Sequence, residues 1–258
     1  MNFASALQLS NPQVLVQAFG RLLYQLSFGL MNFYIPILFV NQMGFSATAV
    51  GFALGLVAMT ELGGHFLGGS LADSARFGRR TVLILAGICG TVVSILLMLA
   101  HSLWLLMLAN LVLGVSLGFY WTGSGAAVMD ATESEERPKA FAVLGLMEYV
   151  GIGIGILGGS ALLGALQDAP QYLFGSCTVA FLGFTMLMLV AMSDEHQPTE
   201  PGAHGAKGLI QALQDKSLLV FVLANSFFTT YFAMMTSTVP LYFTNFVPGM
   251  DSIPGVSV

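Results

Sequence analysis

Long apolar runs separated by short polar breaks organise this chain. No Lys, Arg, Asp or Glu occurs in residues 22–60, 81–129, 149–167, 169–193 or 217–250. A helix rises about 1.5 Å per residue and needs about 20 mostly apolar residues to cross a bilayer. Divided at their breaks, the runs predict seven spans, over 14–40, 47–70, 81–100, 103–127, 139–166, 171–192 and 217–246. "NQMGFS", "HS" and "QDAP" read as the turns after spans one, three and five. The pattern predicts an all-α transmembrane protein.

Composition sharpens this. The 258 residues are 56% hydrophobic and 8% charged, against roughly 25% charged in an average soluble protein. Too few polar residues remain to cover a water-facing surface, so lipid is the expected solvent. The net charge of −5, without a basic stripe, argues against nucleic acid. Cys89 and Cys177 lie in apolar runs without metal-like spacing. His196 and His204 lack Cys support and read as solvated loop residues, so no metal is expected. The sequence shows no nucleophile or metal constellation, no GxxxxGK[ST] phosphate loop and no short apolar core of a cleavable leader. These readings point away from an enzyme and call for no cofactor.

The basic residues set an expected orientation. Arg76, Arg79 and Arg80 fall between spans two and three, Arg137 and Lys139 between four and five, and Lys207 and Lys216 between six and seven. Arg21 lies inside span one. Cytoplasmic loops carry an excess of Lys and Arg. These loops and the N-terminus are therefore expected in the cytoplasm, with the chain in the plasma or inner membrane. A seven-span receptor would place its N-terminus outside, and a retinal protein needs a Lys that residues 217–250 lack. The long polar stretch 193–216, containing Pro and Gly, reads as a linker between two membrane bundles. The expected division is an N-terminal bundle over 1–192, a cytoplasmic linker over 193–216, and one further helix over 217–258.

The charge that exists is concentrated. Within "GGSLADSARFGRR", residues 68–80, Asp73 sits where span two leaves lipid, and Arg79 and Arg80 sit where span three enters it. Gly68 and Gly69 are expected to let another helix approach closely, and Gly78 to permit the turn. An aspartate beside arginines at a low-dielectric boundary can form a charge-assisted latch between helices.

The stretch 69–80, with Gly69, Asp73, Arg76, Gly78, Arg79 and Arg80, resembles the loop signature G-x-L-a-D-R-x-G-R-R of the major facilitator superfamily, between that family's second and third helices. Ser74 and Ala75 look like a two-residue insertion, which leaves open which arginine meets Asp73. "DATESEERPKA", 130–140, with Asp130 and Arg137, looks like the family's acidic–basic loop after helix four. "GIGIGILGGSALLG", 151–164, resembles the glycine-rich fifth helix of its antiporters but lacks that motif's Pro. Residues 213–246 are similar to the start of the family's second half.

The resemblance implies a six-helix bundle of two inverted three-helix repeats, followed by a seventh helix of an incomplete second bundle. The chain would then be a truncated product or fragment. The family's helices one, four and seven line its cavity, while two and five face the other bundle.

Four ionisable groups fall within spans: Arg21, Glu61, His65 and Glu148. Glu61 precedes Asp73 by twelve residues, roughly 18 Å of helix. His65 follows Glu61 by four and shares its face. A charge at the bilayer centre costs at least about 2.5–3.5 kcal/mol. Two readings stand. The carboxylates are proton or ion-coupling sites, or they lock helices together through hydroxyls, His65 or Arg21. Gln25, Asn32, Asn110, Trp121 and Asn225 are candidates for a substrate cavity, with Tyr24, Tyr120 and Ser124 near them. Tyr34 and Trp104, near span ends, read as interfacial anchors. The expected function is secondary active transport of a small solute by alternating access, coupled to an ion, with the proton as the expected one. The alternative is a non-transporting helper that pairs with another membrane protein.

Overall fold

A computed structural model describes residues 11–74, 76–166, 170–193 and scattered positions from 214 to 242. Helices dominate the described residues. They are α1 (Pro12–Pro36), α2 (Ala47–Ala72), α3 (Gly78–Met98), α4 (Leu103–Asp130), α5 (Arg137–Ala165) and α6 (Leu173–Ala191). All six are long and apolar enough to cross a bilayer. Most of predicted span seven and of the linker, and Asn225 with them, lie outside the described residues.

Local chemistry starts and stops these helices. Asn11 caps α1, its side chain accepting the Gln13 amide at 2.9 Å, and Pro12 occupies the first turn, where no backbone donor is needed. Ser46 and Ser102 cap α2 and α4 in the same way. Pro36 removes a backbone donor within the first span, and the chain continues as a π-helical segment, Ile37–Gln42. Gly44, with φ of +71°, then turns it into α2.

Helix order and packing reveal two related halves. α1 packs on α5 and α4 on α2; α3 packs on α4 and α6 on α1; α3 and α6 meet each other. Exchanging α1–α3 for α4–α6 maps this pattern onto itself. α1 starts, and α4 ends, at the end of the bundle that carries the basic loops, so the halves run in opposite directions. This is the arrangement of inverted repeats.

The same pattern decides which helices lie inside. The apolar windows of α1 and α4 are 67% and 56% buried, those of α2 and α5 only 17% and 22%. At the centre, Tyr24 of α1 and Tyr120 of α4 stack with ring centroids 3.7 Å apart and planes 7° from parallel. Phe181 and Phe184 of α6 meet Tyr24 edge-on.

The two peripheral helices attach through glycine. A Cβ on Gly118 of α4 would come 2.5 Å from the Gly64 carbonyl carbon and the His65 amide nitrogen of α2. On α5, Gly151, Gly155 and Gly159 recur every fourth residue and face Leu22, Leu26 and Tyr34 of α1. Small residues thus let backbones touch where lipid supplies no hydrophobic drive for association. The expected close approach at Gly68–Gly69 is half right. Gly68 packs on Phe119, but a Cβ on Gly69 would meet only Thr122, at 3.8 Å. Gly64, a turn earlier, makes the tighter contact.

Tyr34 corrects another expectation. Its ring is 1% exposed and its hydroxyl donates to the Ile156 carbonyl at 2.9 Å. It fastens α1 to α5 within the bundle and is not an interfacial anchor. Trp104, 81% exposed at the start of α4, has the surface position expected of one.

Candidate transport site

Arg21 organises the buried polar chemistry. It sits nine residues into α1, and its guanidinium reaches two other helices. Nη1 lies 2.9 Å from Glu148 Oε2 on α5, and Nη2 donates to Ser124 Oγ on α4 at 3.1 Å. The Trp121 ring lies beneath the cation, 4.7 Å from the guanidinium carbon to the ring centroid, with Tyr120 at 5.5 Å. The planar fork makes this possible, because separate donors address a carboxylate and a hydroxyl while the cation's face meets the indole. One turn deeper, Gln25 is buried, and its side-chain oxygen has no hydrogen-bond partner among the described residues.

The remaining cavity candidates divide. Trp121 joins the Arg21 cluster. Asn110 is buried, but its amide nitrogen bonds locally to the Leu106 carbonyl at 2.8 Å, leaving its oxygen without a partner among the described residues. Asn32 is half-buried. Tyr24 bonds Ser116 at 2.7 Å, and Ser116 donates to the Ala86 carbonyl on α3, so this hydroxyl pair ties helices together.

Glu61 and His65 form a second polar group, on α2. His65 Nε2 lies 3.6 Å from Glu61 Oε1, and Nδ1 lies 3.1 Å from Thr122 Oγ1 on α4. Both carboxylates within the spans therefore have a basic partner at hand.

At the basic end, the charged loop resolves around Arg79. Gly78 adopts φ of +71°, a left-handed conformation open to glycine, and starts α3 there. Arg79, 8% exposed, places Nε 2.8 Å from Asp130 Oδ2 at the end of α4. Its Nη1 donates to the Ala72 carbonyl at 2.9 Å, and its Nη2 stands 3.6 Å from Asp73. The arginine that meets Asp73 is thus Arg79, while Arg76 is exposed over the Phe77 ring. The two acidic–basic loops are one cluster, since Asp130 of the second pairs with Arg79 of the first. Arg137 begins α5, seven residues after Asp130 in the chain.

Arg80 points elsewhere. Its Nε donates to the Met188 carbonyl at 3.2 Å, and its Nη2 donates to the Leu189 carbonyl. A cation thereby caps the last turn of α6, where carbonyls lack helical partners and the dipole is negative. Gln13 of α1 completes the cap, donating to the Ala191 carbonyl and accepting the Ser193 amide, each at 3.2 Å. Gln13 was not singled out from sequence. The signal was a polar residue in the first turn of an apolar span, with no local hint of the helix end it would meet. A cavity of about 320 Å³ lies at this end, lined in part by Gln13, Gln17, Arg79, Arg80 and Asp130.

A sequence model of the major facilitator superfamily matches residues 18–258. The chain belongs to this family. Multidrug resistance protein MdtH of Yersinia pestis (strain Pestoides F) is 29% identical over 210 residues, covering 80% of this chain and 50% of that protein. MdtH of Yersinia pseudotuberculosis (serotype O:1b, strain IP 31758) gives the same values. The chain thus spans about half the length of the curated relatives it matches. Among solved structures of the fold, one from a study of proton-dependent oligopeptide transporters aligns with TM-score 0.65 and 16% identity, covering 90% of this chain and 50% of that one. The proton:xylose symporter XylE aligns with TM-score 0.55 and 16% identity, over 93% of this chain and 55% of that one. Family membership and six apolar helices together make the chain a multi-pass membrane protein of a transporter family.

Proposed function

We propose that this chain forms the N-terminal bundle of a secondary transporter that moves a small amphipathic organic solute by alternating access, driven by protons. Residues 1–192 are the bundle, 193–216 a cytoplasmic linker and 217–258 the start of a second bundle. The N-terminus faces the cytoplasm, in the plasma or inner membrane. The observation that carries the reading is the Arg21–Glu148 pair, a charge bridge between α1 and α5 in which Arg21 is buried and Glu148 partly so, with Ser124 and Trp121 of α4 around it. A pair so placed is neutral as a whole, and protonating Glu148 would leave Arg21 as a lone cation in a low-dielectric interior. Arg21 must then find another partner or gain water, which is a reason for the helices to rearrange. The aromatic rings beside Arg21 and the names of the multidrug resistance relatives support an amphipathic organic solute.

The test uses the full gene product containing this chain, reconstituted in proteoliposomes with an imposed pH gradient. Fluorescent amphipathic dyes serve as substrates. Glu148→Gln should abolish gradient-driven dye accumulation while leaving dye exchange between equal pools. Accumulation that depends on the gradient equally with and without Glu148 would remove the residue from the mechanism. No dye movement in any form would refute transport of this solute class.

A further inference from the structure

We propose that the cavity at the basic end of the bundle binds a small hydroxylated organic phosphate. The cavity holds about 320 Å³ among the ends of α1, α3, α4 and α6. That volume is at the low end of small-ligand pockets, roughly 300–1,000 Å³. Its wall shares no residue with the Arg21–Glu148 cluster, so the proposal stands apart from the transport reading.

Charge selects an anion. Among the described residues, Arg76, Arg79 and Arg80 line the cavity against one carboxylate, Asp130. Asp73, 3.6 Å from Arg79, is not part of the wall. The backbone acts in the same sense. Gly78, Arg79, Arg80 and Thr81 belong to the start of α3, and Phe77 before them supplies no side-chain cap. No acidic residue stands in that first turn. Such a helix start attracts phosphate through its amides and its dipole. The guanidinium fork matches phosphate oxygens in pairs.

A second, independent observation adds the hydroxyl. Gln17 of α1 is 3% exposed and lines the same cavity. Its Nε2 meets only the sulfurs of Met192 and Met188, at 3.5 and 3.9 Å, which are weak acceptors. Its carboxamide oxygen has no hydrogen-bond partner among the described residues. A buried acceptor left unpaired costs stability. Phosphate oxygens cannot satisfy it, because they accept as well. A hydroxyl on the same ligand can. The wall therefore calls for a phosphate with a hydrogen-bond donor beside it. Two sources share this chemistry, a soluble polyol phosphate and the glycerol phosphate headgroup of phosphatidylglycerol.

Isothermal titration of the full gene product containing this chain, held in lipid nanodiscs, tests the proposal. In phosphatidylcholine discs, inositol monophosphate should bind saturably and inositol should not bind. Inorganic phosphate should bind about fivefold more weakly, for want of the hydroxyl contact. Arg76→Gln, at the exposed rim, should weaken both phosphates by about tenfold. Gln17→Leu should bring inositol monophosphate down to the affinity of inorganic phosphate and leave the latter unchanged, whereas a merely structural loss would weaken both. Phosphatidylglycerol discs then assign the source. Competition there makes the headgroup the occupant, and undiminished binding makes it a soluble phosphate. Absence of binding in phosphatidylcholine discs would overturn the proposal, and that reading needs no variant to fold. So would equal affinity for the two phosphates in the unaltered protein, or a preference for inositol monophosphate that survives in monodisperse Gln17→Leu.

Discussion

Arg79 Nε lies 2.8 Å from Asp130 Oδ2, while its Nη2 stands 3.6 Å from Asp73, the acid nearer in sequence. Of the two acids, the closer is thus the one on the helix that follows its own. Asp130→Asn should lower stability by about 1 kcal/mol, the upper end for a close but partly exposed ion pair. Asp73→Asn should change it by less than about 0.5 kcal/mol, the scale of a loose exposed pair. Thermal unfolding in detergent, followed by tryptophan fluorescence, ranks the two. A larger effect at Asp73 would contradict the geometry.

The Arg21–Glu148 pair makes a sharper prediction. Removing Glu148 leaves the buried Arg21 charge without its partner, at up to about 3–5 kcal/mol, and removing Arg21 leaves the partly exposed Glu148 at less. Glu148→Met should destabilise strongly and Arg21→Met less, and the double variant should recover most of the larger loss. A double-mutant cycle on unfolding measures this directly. Additive losses would mean that the two groups do not depend on each other.

Glycine positions should sort by contact. Gly118→Val on α4 should abolish folded protein, because its side chain would occupy the backbone of α2. Gly153→Val on α5 should be tolerated, as no atom lies within 4 Å of its Cβ position. Monodispersity on size-exclusion chromatography after detergent extraction reads out both.

Tyr34→Phe removes one hydroxyl whose partner, the Ile156 carbonyl, links α1 to α5. The expected loss is about 0.5–1.5 kcal/mol. Because the carbonyl already serves a helix, the variant should fold normally and unfold at lower temperature in the same assay.

Orientation is open to chemical labelling. Cysteines introduced at Glu135 and at Ser102 lie at opposite ends of α4's neighbourhood in the chain, one in a basic loop and one beside Trp104. In intact cells a membrane-impermeant maleimide should label the Ser102 position and spare Glu135. The reverse pattern would invert the proposed topology.

The sequence showed the six described spans well because lipid imposes a coarse rule, about 20 apolar residues per crossing, that survives errors of a few residues. It also showed Gly78, since a charged hairpin this short needs a left-handed residue. What escaped was pairing between distant elements. Nothing near Arg79 indicates that Asp130 is its closer acid, and nothing near Arg80 indicates the carbonyls of α6. Tyr34 was misread for the same reason. A tyrosine near a helix end looks alike whether it meets headgroups or a neighbouring backbone, and only the register against Ile156 separates them. The Arg21–Glu148 contact was among the options visible in the chain, but its choice over a hydroxyl partner required the α1–α5 packing that Gly151 and Gly155 permit.

The closing turn of α6 is gripped from two sides, by the Arg80 guanidinium and by the Gln13 carboxamide, which also holds the Ser193 amide. Fraying of that turn is suppressed. The end of α6 is consequently a joint shared by α1, α3 and α6. Displacing any one of these helices at this end must carry the other two or break those bonds.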